Sequence, residues 1–161
     1  MRLTHMSDYA VRLLIYLGTH RERLCTIAEV AGAYRLSEPH LMKITQRLAR
    51  HGWIRTVRGK NGGMELAHEP QDIRLGALLR DMENDWALVE CMGPENRCML
   101  SDRCGLKGIV AGALDAFMQH LDAHSLADVL PPGARTASTA AVARGDVTAP
   151  EANRPPAWGC R

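Results

Sequence analysis

Aromatic residues are scarce: Phe, Trp and Tyr make up 4% of the 161 residues, and Phe occurs once. That scarcity argues against sheets that bind RNA by stacking bases on surface aromatics. No apolar run approaches the roughly 20 residues needed to cross a bilayer, so no membrane partner is expected. Residues 1–8 are polar and run straight into a helical pattern, without the apolar stretch of a secretory signal. A cytoplasmic location is therefore expected. Nucleotide and flavin motifs are absent too, which argues against an enzyme of those classes. The five cysteines include no closely spaced pair of the kind that usually supplies zinc ligands. Their odd number argues against a disulfide framework.

What remains is ordinary domain composition, 46% apolar and 24% charged, enough for one or two small cores. The net charge of +2 hides an asymmetry. Residues 1–82 hold 13 basic and 8 acidic side chains, a net of +5, and residues 83–161 hold 7 and 10, a net of −3. Residues 35–60 carry seven cations against Glu38 alone. A basic block within a folded domain suggests a polyanionic partner, with nucleic acid foremost, although a solvated charged face has the same composition.

The helical signals come in sequence. Ser7 is placed to cap a first helix, with Asp8 in its first turn. Thr26 and Glu29 make a capping box for a short second helix over about 27–34. Ser37 caps a third, with Pro39 in its first turn and Gly52 beyond its end. The brief Arg35-Leu36 connection makes the pair a helix-turn-helix. Residues 53–57 are β-prone, residues 58–63 form a glycine-rich turn, and Met64-Glu65-Leu66-Ala67 alternates as a returning strand. The expected fold is mainly α: a winged helix-turn-helix with a two-stranded wing over 1–82, ending in a helix over about 73–82. A cysteine-bearing loop follows over 83–104.

Leu106, Ile109, Val110, Ala113, Leu114, Phe117 and Leu121 then form an apolar stripe on a long helix over about 105–123. That stripe packs either internally or against a copy of itself, which would make a dimer. Ser125 caps one more turn within 105–130, and residues 131–161 read as a disordered tail.

On the third helix, Leu41, Ile44 and Leu48 share one face. His40, Lys43, Arg47 and Arg50 share another, about 110° round at roughly 100° per residue. A helix presenting cations fits the major groove, and Arg58, Lys60 and Asn61 at the wing tip lie within reach of the adjacent backbone or minor groove. With Ser37 at the helix start, these are the candidate contacts to double-stranded operator DNA.

Cys25 reads as a packing residue, and Cys160 falls in the tail. Cys91, Cys98 and Cys104 stand apart, in a loop rich in turn formers. Wide spacing on such a loop suits an iron–sulfur cluster, with Cys104 at a helix start that favours a thiolate. Arg97, Arg103 and Lys107 would offset the cluster's negative charge. Unrelated buried thiols, a redox switch and structural zinc are the alternatives left open by spacing alone.

Ser7-Asp8-Tyr9-Ala10, the wing run Val57-Arg58-Gly59-Lys60-Asn61-Gly62-Gly63 and three spaced cysteines before a long helix resemble the Rrf-two family of bacterial repressors. Within it they resemble the branch that senses nitric oxide through an iron–sulfur cluster. The likeness covers about residues 1–130. It implies a homodimer formed by the long helix, here residues 106–121. It also implies a cluster on Cys91, Cys98 and Cys104, [4Fe-4S] ahead of [2Fe-2S], and release of operator DNA when nitric oxide damages it. Asp8 of the other subunit would complete the ligand set, although an Asp in a first helical turn also has a plain dipole role. In the sister branch that regulates cluster assembly, a His three residues past the last cysteine is a ligand; Lys107 stands there in this chain.

Overall fold

The computed structural model describes residues 3–101 and 103–132. Cys160 and almost all of the 131–161 segment lie outside the described residues.

Helix α1, His5–Thr19, begins earlier than its sequence signals suggest, with Thr4 at the cap position. Ser7 does not cap it. The Ser7 side chain is fully buried and donates to Glu83 Oε1 at 2.5 Å, and the same oxygen accepts from the Thr4 backbone N–H at 2.8 Å. A carboxylate 76 residues further along the chain thus takes over the capping task, and it suits the positive end of a helix.

Helix α2, Ile27–Tyr34, starts with the expected reciprocal Thr26–Glu29 box. It ends at Arg35, whose φ of 54° is the left-handed turn that aims helix α3, Glu38–Arg50. Ser37 occupies the cap position of α3 without using its side chain there. Leu41, Ile44 and Leu48 are buried against α1, as their shared face requires.

The wing pairs β1, Ile54–Val57, antiparallel to β2, Gly63–Leu66, with Ile54 opposite Leu66 and Val57 opposite Gly63. Met64 also exchanges backbone hydrogen bonds with Cys25, at 2.8 and 3.0 Å, which pins the wing to the chain ahead of α2. The tip needs its glycines: Gly59 has φ +111°, and a Cβ on Gly62 would strike the Val57 carbonyl.

Helix α4, Leu75–Met82, is shorter than the expected 73–82. Residues 73–75 are drawn into extended pairing with the chain near Ser125: Leu126 N–H donates to Ile73 O at 2.8 Å and Leu75 N–H to His124 O at 3.0 Å. That pairing competes with the first helical turn and wins it. Helix α5, Leu106–Asp122, packs on α4 and is clamped by a two-armed Arg80–Asp122 pair at 2.5 and 2.7 Å. The short α6, Leu126–Val129, carries the reciprocal Ser125–Asp128 box. The core is built on Ala10, Leu13, Leu14 and Leu17 of α1, with Ile73, Leu78 and Met82 beside them. Leu126 and Leu130 join the same core, so it extends beyond the wing domain. Among the described residues no helix is long and apolar enough to cross a membrane.

Candidate nucleic-acid interface and cysteine loop

The buried face of α3 leaves the opposite face to solvent. His40, Lys43 and Arg50 are exposed there, and Ser37 is exposed at the helix start. Arg58, Lys60 and Asn61 are exposed at the wing tip. The recognition helix and wing therefore present one set of cations with no acidic partner at the tip among the described residues. Arg47 differs from the rest of the set. It is half-buried, and its guanidinium donates to Asp81 O at 2.7 Å, Asn84 Oδ1 at 2.9 Å and Glu83 O at 3.4 Å.

Two further side chains belong to the exposed face and escape a search made by charge. Met42 is 49% exposed, and Gln46 is exposed one turn beyond it. Gln is suited to adenine edges, and an apolar side chain to thymine methyls. Their helical positions relative to Leu41 and Leu48 were the available signal.

Among its described residues, the loop from 83 to 104 contains one short turn of regular structure, Glu90–Met92. It is organised by its own polar side chains. Glu90 Oε1 accepts from the Arg97 backbone N–H at 3.2 Å, which draws the neighbourhoods of Cys91 and Cys98 together. Asn96 Oδ1 accepts from Cys98 N–H at 3.0 Å, and Ser101 Oγ donates to Cys98 O at 2.8 Å. Spacing arguments centred on cysteine overlook Glu90, Asn96 and Ser101.

Cys91, Cys98 and Cys104 are free and half-buried, with Cys104 two residues ahead of the start of α5. Cys25 is fully buried, locked to Met64 through its backbone, and burial pushes its thiol pKa up. Three accessible soft donors on one loop match the chemistry that an iron–sulfur cluster asks of its ligands, and Cys25 does not. Among the described residues, no three His, Cys, Asp or Glu side chains are gathered closely enough to hold a metal ion. The loop thus carries the three thiols without gathering them into a closed cage. Asp8 sits on α1, 44% exposed and paired with Arg12 at 2.9 Å. It borders an open hollow lined by Leu3, Val11, Leu75, Leu79 and Leu121.

Along α5 the apolar stripe divides. Leu114 and Met118 are buried within the chain, whereas Leu106 is 51% and Ile109 72% exposed. Met99 and Leu100, just ahead of them, are also exposed. One chain leaves the first half of this helix uncovered.

Residues 3–132 match the family model described as "Rrf2: Iron-dependent Transcriptional regulator". The chain belongs to the Rrf2 family. It is 41% identical over 132 residues to the HTH-type transcriptional regulator NsrR of Bacillus licheniformis, covering 81% of this chain and 92% of that relative. It is likewise 41% identical over 147 residues to NsrR of Geobacillus kaustophilus, covering 90% of this chain and all of the relative. Among solved structures it resembles T. potens IscR, with a TM-score of 0.66 at 26% identity over 88% of this chain and 93% of that one. This Rrf2 protein is therefore a winged-helix transcriptional regulator and not an enzyme. The mainly helical fold and two-stranded wing expected from sequence are those observed.

Proposed function

We propose that this Rrf2 regulator is a cytoplasmic repressor whose hold on operator DNA depends on an iron–sulfur cluster and is lost on exposure to nitric oxide. The observation that carries this reading is the placement of three free, half-buried thiols on the one loop joining the DNA-reading unit to α5. Cys91, Cys98 and Cys104 would hold the cluster, [4Fe-4S] ahead of [2Fe-2S], with Asp8 of the second subunit as the remaining ligand. When bound, the cluster supplies iron that reacts with nitric oxide.

The rest is done by the chain's own residues. Ile109 and Leu106 of the exposed half of α5 meet their counterparts in a homodimer through residues 106–121. His40, Lys43 and Arg50 of each recognition helix enter the major groove, with Met42 and Gln46 beside them. Arg58, Lys60 and Asn61 of each wing hold the flanking backbone. Two such reading heads must match half-sites about 34–36 Å apart. As a ligand shared with the partner's loop, Asp8 would hold that distance, and without that tie the heads would be free to drift. Emptying an operator from about 99% to 1% occupancy needs a roughly 10⁴-fold loss of affinity, about 5.5 kcal/mol. Misplacing one of two cooperating heads is a change of that order.

Visible absorption of anaerobically purified protein tests the reading. Wild-type protein and Cys25→Ala are expected to show the same iron–sulfur bands. Cys91→Ala, Cys98→Ala and Cys104→Ala are expected to lose or alter them. Colourless wild-type protein carrying zinc would overturn the proposal.

A further inference from the structure

We propose that residues 81–84 form a mechanical joint between the cysteine loop and the DNA-reading unit, in which Arg47 is a positioning residue and not a phosphate contact. The inference rests on the reading of this chain as a cluster-controlled DNA binder, and adds the residues that carry the control.

Residues 81–84 are where α4 stops and the cysteine loop starts. Three elements of the reading unit converge on this stretch. From α3, Arg47 donates to Asp81 O, Glu83 O and Asn84 Oδ1. Asp81 O lies at the end of α4, where carbonyls have no helical partner, so Arg47 also serves as a C-terminal cap. From the root of the wing, Trp53 Nε1 donates to Asp81 Oδ2 at 2.8 Å, and His51 Nδ1 lies 3.4 Å from the same oxygen. From the start of α1, the cap residue Thr4 and Ser7, the latter one residue before Asp8, donate to the buried Glu83 carboxylate.

The chemistry of Arg47 fits a joint better than a groove contact. One planar fork reaches acceptors on residues 81, 83 and 84 of the loop entrance, which the compact ammonium of a lysine does not reproduce. Three of its five N–H groups are already committed within the chain. A shift of residue 83 or 84 therefore pulls on the recognition helix directly. A shift of α1 reaches it through Glu83, and a shift at residue 81 reaches the wing through Trp53. The cysteine loop and the reading head move as one body while these bonds hold.

The test compares Arg47→Lys, Arg47→Met and Asn84→Ala with wild type in two measurements. The first is amide hydrogen exchange over residues 81–92 and over α3, in the cluster-free full-length protein. All three variants are expected to exchange faster in both segments, by about fivefold for each net hydrogen bond removed. Exchange unchanged over residues 81–92 in every variant would overturn the joint. The second is the ratio of affinities of cluster-loaded and cluster-free protein for a duplex selected from a random-sequence pool with the wild-type protein. Arg47→Lys is expected to be as poor as Arg47→Met, with the ratio cut about tenfold or more. If Lys instead restores wild-type affinity and salt dependence, Arg47 is a phosphate contact and the proposal fails. A wild-type ratio of one would remove the functional reading, and the exchange comparison would still decide the joint. Asn84→Ala changes an exposed residue, so the exchange test survives even if the Arg47 variants fail to fold.

Discussion

Replacing Ile109 by Asp separates the needs of one chain from those of a dimer. In the single chain Ile109 is 72% exposed, on the outer side of α5. An Asp at such a position costs a lone helix only about 0.5 kcal/mol through weaker helix propensity. In a dimer through α5, the uncovered part of Ile109 becomes buried, worth about 1–2 kcal/mol per copy. Two-fold symmetry makes every substitution count twice, giving about 2–4 kcal/mol before charge is considered. Two carboxylates brought into an apolar seam add several kcal/mol more. The total exceeds about 5 kcal/mol, more than a thousandfold in the dissociation constant. Sedimentation equilibrium should find Ile109→Asp monomeric where wild type is dimeric, with unchanged far-ultraviolet circular dichroism and weakened DNA binding. A folded, fully dimeric variant with normal DNA affinity would refute the α5 interface. Leu114 cannot serve the same test, because at 5% exposure it already belongs to the chain's own packing.

The wing makes a second prediction: Arg58→Ala or Lys60→Ala should lower the salt slope of DNA binding by about one unit for each phosphate left without its cation, measured by fluorescence anisotropy. Ser7→Ala removes a buried donor from the Glu83 carboxylate and should cost about 1.5–3 kcal/mol in urea unfolding. In cluster-free native protein, iodoacetamide should label Cys91, Cys98 and Cys104 well before the fully buried Cys25, as mapped by mass spectrometry. The raised pKa of Cys25 also has a sign. Its contribution to stability is complete below the ordinary thiol range near about 8.5 and declines as pH rises toward the higher folded value. Urea midpoints between neutral and alkaline pH check the direction.

Local signals in the sequence were most reliable where the physics is local. The Thr26–Glu29 box, the buried Leu41, Ile44 and Leu48 face, and the glycine-dependent wing all stand where pattern places them. Long-range partners were not legible. Ser7 reads as a cap until a carboxylate from residue 83 occupies its hydroxyl, and the start of α4 yields to pairing with the chain near Ser125. Arg47 has the helical phase of an exposed cation, yet its long side chain folds back onto the loop entrance. For the cysteines, sequence places three of them on one loop, whereas the polar bonds of Glu90, Asn96 and Ser101 that shape it carry no spacing signature.

The central claim, that thiolate-held iron governs the grip on DNA, is tested most directly by one anaerobic titration. Nitric oxide is added stepwise to cluster-loaded protein bound to its selected, fluorescently labelled duplex, while cluster absorbance and DNA anisotropy are recorded in the same cuvette. DNA should be released in step with the loss of cluster absorbance, and both changes should be complete together. Duplex that stays fully bound after the absorbance has gone would contradict the account.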